Sequence, residues 1–300
     1  MNFGTIQVAD IFVGALNAIE AYFGTEKVWE KSAPPSEPWL CFTAGEANST
    51  VAMAKEGWSA PSVSLECSPD GNTWSPFEVG TTTVTLANIG DKVYVRATSA
   101  GNTGFSGGWM GWHHFVMTGK IAASGNVDTL LDQNGNATLA SNCYNNIFNG
   151  CTSLTTAPEL PATTLADGCY ANMFQGCSSL TTAPALPATT LAYLCYNNMF
   201  NECTSLTTAP ALPATTLADG CYSNMFNGCT SLTAAPSLPA TTLANNCYYQ
   251  MFYNCTSLTS APELPATTLA ISCYDSMFGG CTSLTTAPSL PATTLATRCY

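Results

Sequence analysis

The chain has 300 residues, enough for one to three domains, and 46% of them are hydrophobic. Charged residues make up only 9%, with 7 basic against 19 acidic side chains and a net charge of −12. That balance repels a phosphate backbone and argues against nucleic-acid binding, and no apolar run of about eighteen residues exists to span a membrane.

Residues 1–30 form a first unit. They lack a basic n-region followed by an apolar core and small-residue cleavage site, so they do not read as a secretory signal. IQVADIFVG (6–14) and IEAYFGTEKVW (19–29) are two β-prone runs about a Gly-Ala-Leu turn. The second run ends in Tyr22-Phe23-Gly24-Thr25-Glu26-Lys27-Val28-Trp29. This resembles the short N-terminal segments of phage tail and fibre proteins that end in a YxGxxxVW motif. The resemblance implies docking to other virion proteins through Tyr22, Phe23, Val28 and Trp29. Residues 31–37, rich in Pro and Ser, read as a linker.

Residues 38–122 read as all-β. LCFTAG, STVAMA, SVSLEC, VTLANI, KVYVRAT and HFVMTG are short alternating or β-branched runs between turn residues. SPDGNTW (68–74) places an Asp-Gly turn between two of them, a hairpin signal. About seven strands predict a β-sandwich, immunoglobulin-like or jelly-roll. Cys41 and Cys67 either bridge its sheets or stay as free buried thiols, the reading favoured without a secretory signal. In GGWMGWHH (107–114), Trp109 and Trp112 either stack on sugar rings or fill the junction between sandwich and solenoid. His113 and His114 are the two histidines of the chain, and neighbours on a strand point to opposite faces, which disfavours a two-His metal site. Residues 123–142 are polar and close on NATLASNCY, an echo of the repeats beyond; they are expected to cap the array.

From residue 143 one phrase recurs every 26 residues: six copies fill 143–298, and Cys299-Tyr300 opens a seventh. A period of this length marks a solenoid of the leucine-rich type, one coil per copy. In CYNNMFNEC, Cys195, Met199 and Cys203 stand four apart, which predicts one face of a helix or helical turn. TSLTTAP then suits a short strand around Leu206, ended by Pro210, and Leu212 and Leu217 supply further apolar anchors. Coils stacked at about 4.8 Å would place each side chain over its counterpart.

Thirteen of the fifteen cysteines fall on this lattice. Cys143, Cys151, Cys169, Cys177, Cys195, Cys203, Cys221, Cys229, Cys247, Cys255, Cys273 and Cys281 are expected as a reduced buried ladder, with Cys299 opening the next step. Sideways disulfides between coils are the alternative; metal binding has neither a CxxC nor a His partner to support it. LPATT resembles the sortase anchor signal, but Leu follows it in every copy, so it belongs to the coil.

The pattern MFxGCTSLTTAPxLPATTLAxxCY resembles the 26-residue leucine-rich repeats of BspA-like bacterial surface proteins, over about half the chain. The resemblance implies a right-handed solenoid and adhesion to proteins or cell surfaces. Together with the N-terminal motif it resembles virion proteins of phages infecting gut bacteria, made in the cytoplasm and released by lysis.

Some letters vary between copies: the third and fourth after each first Cys, the closing pair, and the residue between Pro and Leu. Residues free to change are expected on one exposed face. Tyr193, Leu194, Tyr249, Tyr253 and Ile271, with Glu159 and Glu263, are therefore candidate adhesion residues, the alternative being drift on a solvated surface. No triad, phosphate loop, zinc motif or matched carboxylate pair appears, so neither an enzyme nor a cofactor is expected. The reading is a virion fibre or decoration protein that touches a host surface protein or glycan. The alternative is a bacterial surface adhesin with its export signal missing. A homo-oligomer, trimeric as fibres commonly are, is compatible with it, although no heptad or collagen-like register enforces one.

Overall fold

Alternating apolar residues build two sheets between Leu40 and Thr156. The computed structural model describes residues 20–23, 26–30 and 38–300. In the first unit it describes the backbone of an antiparallel hairpin, β1 (Glu20–Phe23) and β2 (Glu26–Glu30), with Tyr22 opposite Lys27 and Ala21 opposite Trp29. The second β-prone run thus supplies both strands of a hairpin, and the expected turn at Gly14-Ala15-Leu16 lies outside the described residues. The run 6–14 and the linker 31–37 lie outside the described residues, as do the side chains proposed for docking.

The rest, Glu37–Tyr300, forms one compact unit. Its strands are β3 (Leu40–Ala44), β4 (Ser49–Gly57), β5 (Leu65–Ser68), β6 (Ser75–Pro76), β7 (Thr83–Leu86), β8 (Lys92–Ala97), β9 (Gly111–Thr118), β10 (Ile121–Ser124) and β11 (Leu154–Thr156). They make a six-stranded sheet in the order β11-β10-β3-β8-β5-β6 and a three-stranded sheet in the order β7-β4-β9. The fold is mainly β; apart from two short 3-10 turns it has no helix among the described residues. Inward side chains meet between the sheets, with the Phe42 and Phe115 rings 4.8 Å apart, edge to face. The Asp-Gly turn joins β5 to β6 as its sequence predicts, and Asp70 holds it by accepting from the backbone N–H groups of Asn72 and Thr73. Cys41 and Cys67 are buried, and no disulfide joins them to each other.

Strand β10 links the sheets to the repeats. It pairs antiparallel with β3 and parallel with β11, which belongs to the first copy. In later copies the strand shrinks to single parallel bridges, such as Thr156 to Thr182 and Thr182 to Thr208. The Thr hydroxyls compensate: Thr181 and Thr207 each donate to the carbonyl 26 residues earlier.

The segment expected as a helix or helical turn forms no helix. In every copy it is a chain of tight turns with left-handed backbone at each fourth residue: Asn142, Asn146 and Gly150, then Gly168, Asn172 and Gly176, and so on. Gly and Asn tolerate that conformation, whereas an α-helix excludes it. A spacing of four resembles helical periodicity, but the backbone hydrogen bonds differ. Odd-numbered N–H groups such as Asn145 and Ile147 donate within the turn, to Asn142 and Tyr144. Even-numbered ones such as Tyr144, Asn146 and Phe148 donate to Cys169, Ala171 and Met173 of the next copy. Half of the donors thus form the turns and half join one copy to the next.

Equivalent side chains consequently lie in register. Tyr144, Tyr170, Tyr196, Tyr222, Tyr248, Tyr274 and Tyr300 stack in one file with steps of 5.7–5.9 Å. The Phe file from Phe148 to Phe278 steps by 5.4–5.9 Å. These steps exceed the expected strand spacing of about 4.8 Å. All thirteen lattice cysteines are buried and unpaired. The second of each copy has a further contact: Cys177 and Cys203 donate their thiol hydrogen to Phe148 and Phe174 of the preceding copy, each at 3.1 Å. Burial holds the Cys203 thiol up at about 12, far from the reactive thiolate.

Candidate interaction surface

The left-handed positions decide what the outer surface of the turns looks like. Each fourth residue must be Gly, Asn or another residue able to bear a positive φ, so variation there is limited by backbone as well as by exposure. The row Asn142, Gly168, Leu194, Gly220, Asn246 alternates side chain with bare backbone. A Cβ on Gly220 would come within 2.5 Å of Leu194 Cδ2, and one on Gly168 within 2.4 Å of Asn142 Oδ1. Each larger side chain therefore lies over the glycine of the next copy, leaving an open floor beside it.

Along this floor run two adjoining recesses that share Leu194. One, of about 380 Å³, begins at Gly108 and Trp112 and is floored by Asn145, Asn146, Asn172 and Asn197. The other, of about 470 Å³, is bounded by Tyr193, Leu194, Ser223, Tyr249 and Ile271. Four of the candidate adhesion residues thus converge on one groove; Tyr193 and Ile271 are 56% and 52% exposed there, while Leu194 and Tyr249 are half-buried. The remaining three lie elsewhere. Tyr253 is half-buried over Gly279, where a Cβ would come within 2.7 Å of its ring. Glu159 and Glu263 sit in the exposed row between Pro and Leu, which does not line either recess.

Of the tryptophans in the GGWMGWHH loop, Trp112 lies half-buried in β9 at the mouth of the first recess. The Trp109 side chain lies outside those described. His113 points inward and holds the Pro61 carbonyl through Nε2 at 2.8 Å. Burial lowers the pKa of both His113 and His114, and the two alternate across β9. No group of three or more potential metal ligands clusters among the described residues.

The closing-pair acids Asp167 and Asp219 serve the backbone. Asp167 accepts from the Tyr193 N–H at 3.1 Å, and Asp219 from the Asn245 N–H at 2.9 Å; Asn245 in turn accepts from Ile271 N–H at 3.1 Å. Each holds the closing pair of the next copy in place. Two amide pairs are also tied together, Asn145 with Asn146 and Asn197 with Asn198.

At the Tyr144 end of the tyrosine file lies a buried carboxylate. The Tyr144 hydroxyl is shared between the Val127 carbonyl and Asp128 Oδ1, at 3.1 and 3.0 Å. Burial pushes the Asp128 carboxyl up to about 6, although the Tyr144 hydrogen bond favours its charged form.

Sequence reasoning missed this carboxylate and the amide floor. An Asn or Gly at every fourth position was the available signal, since it identifies both the turns and the side chains that line them.

Comparison of the chain with family models, with curated proteins and with solved structures finds no match. No helix among the described residues is long and apolar enough to cross a membrane.

Proposed function

We propose that the chain is a non-enzymatic virion protein, a fibre or decoration protein that docks through residues 1–30 and presents its repeats for adhesion to a host surface. In this reading the stacked copies are a leucine-rich solenoid of the BspA-like kind, and the two facing sheets are a β-sandwich from which it extends. The observation that carries the adhesive role is the convergence of Tyr193, Leu194, Tyr249 and Ile271 on one groove. Residues that differ from copy to copy, yet meet in space, are the expected mark of a contact face on an otherwise uniform array. Repeated weak contacts along such an array raise apparent affinity by about 10²–10⁴-fold through linkage alone. The virion assignment rests on the resemblance of the Tyr22–Trp29 motif and of the repeats.

Two measurements test the reading. Mass spectrometry of purified particles is expected to find the chain, and its absence removes the virion role. Replacing Tyr193 and Tyr249 together by Ser is expected to leave folding intact and to weaken attachment to host cells. Unchanged attachment would demote the groove to drift.

A further inference from the structure

The groove runs parallel to the stack, and of its two stretches the first differs in chemistry from a protein–protein anchor site. The first is lined by side-chain amides, four of them tied in two pairs. Asn197 donates one N–H to the Ser223 carbonyl at 3.2 Å and accepts from Asn198 at 2.8 Å. An amide offers two donors and two acceptor lone pairs, so Asn197 keeps a donor and an acceptor for a ligand in the recess. Asn146, the counterpart of Asn198 two copies earlier, donates to Asn145 and accepts from Asn149 at 3.0 Å, and likewise keeps a donor and an acceptor. No Lys, Arg or His lines either recess, and the one charge on the wall is Asp219. That excludes phosphate-rich or carboxylate-rich ligands, which would meet repulsion without a compensating cation.

We infer that this track binds a linear neutral glycan, with Trp112 as the platform for one terminal ring and the amide pairs as its hydroxyl partners; the inference rests on the adhesive reading and names its ligand. Sugar hydroxyls both donate and accept, as do amides. The C–H face of a pyranose is apolar and faintly positive, which suits the negative face of an indole. Successive copies repeat at 5.7–5.9 Å along the tyrosine file, close to the length of one pyranose with its glycosidic oxygen. A polymer whose unit matches this step stays in register with the copies along the groove. Asn142 and Leu194 lie over Gly168 and Gly220, and Leu194 marks the step between the two stretches.

The test uses the full ¹⁵N-labelled chain titrated with maltohexaose, cellohexaose, mannohexaose and chitohexaose, and with hexagalacturonate as the anionic control. At least one neutral hexasaccharide is expected to shift the side-chain amide signals of Asn146, Asn172 and Asn197 together with the Trp112 indole signal. Hexagalacturonate is expected to shift none of them. Trp112→Ala is expected to weaken binding by about tenfold, the effect of losing one aromatic platform. Asn172→Gly preserves the left-handed backbone and is expected to weaken binding with the thermal midpoint unchanged, which covers the case that the Trp112 variant fails to fold. If none of the neutral sugars binds at millimolar concentration while the wild-type chain still attaches to host cells, the glycan inference is overturned and a protein partner takes its place. If the chain binds a sugar but does not attach to cells, the adhesive reading fails and the glycan site stands.

Discussion

The ring of Phe115 lies flat on that of Phe148, with centroids 5.2 Å apart and planes 15° from parallel. Phe115 is not part of any repeat, yet it occupies the place of a preceding copy's Phe. Its N–H donates to the Ile147 carbonyl, as Phe148 N–H donates to Met173. Its carbonyl accepts the Cys151 thiol at 3.1 Å, as the Phe148 carbonyl accepts that of Cys177. Phe105 heads the tyrosine file in the same way, stacked on Tyr144 at 6.2 Å. The end of the array is therefore covered by β9 and the loop before it, and the cap is wider than residues 123–142.

Phe115→Ala removes this template and leaves a cavity beneath Phe148. A loss of about 3–5 kcal/mol is expected in urea unfolding, because Phe115 is fully buried. A loss below about 1 kcal/mol would show that the first copy covers itself.

Asp128 makes stability depend on pH in an unusual direction. Its folded pKa is raised to about 6 from 3.8. Between these values the folded chain holds a proton that the unfolded chain has released, so stability is greatest below pH 3.8 and falls as pH rises through 6. The difference of about two pH units corresponds to about 3 kcal/mol. Asp128→Asn keeps an acceptor for Tyr144 and is expected to remove this loss and stabilise the chain at pH 7. Unfolding curves at pH 4, 5, 6 and 7 for both proteins check the sign.

Asn198 carries a φ of 54°. Asn198→Ala is expected to cost about 1–2 kcal/mol, the penalty for a Cβ in the left-handed region without the amide's local hydrogen bond. Asn198→Gly is expected to cost less than the Ala variant. The reverse order in thermal unfolding would contradict the turn geometry.

The thiols are expected to be silent. Native protein treated with iodoacetamide at pH 8 should take up almost no label, and full labelling should follow denaturation, read by intact mass. Rapid native labelling of several lattice cysteines would mean that the files are open to solvent.

The period of the array and the burial of its cysteines were legible because every copy repeats the same apolar letters, and identical copies have only one way to bury them all. The strands around Val51, Val93 and Phe115 were legible from alternation. The turn segment reads as helical in sequence because Cys195, Met199 and Cys203 stand four apart in both structures; only Leu194, Asn198 and Glu202, all left-handed, separate the two. The template role of Phe105 and Phe115 was hidden, since neither sits in a repeat and both reach the array through backbone contacts that leave no sequence echo. Of the candidate surface, Tyr193, Leu194, Tyr249 and Ile271 share a groove, whereas Glu159, Tyr253 and Glu263 shared only their variability.

The split between donors spent inside a turn and donors spent on the neighbour also governs how such a chain can change length. Loss or duplication of one 26-residue unit leaves each survivor facing an equivalent partner, while the junction at Phe115 is untouched. Reach can thus drift in whole steps, by slippage between near-identical coding segments, with no new interface to invent.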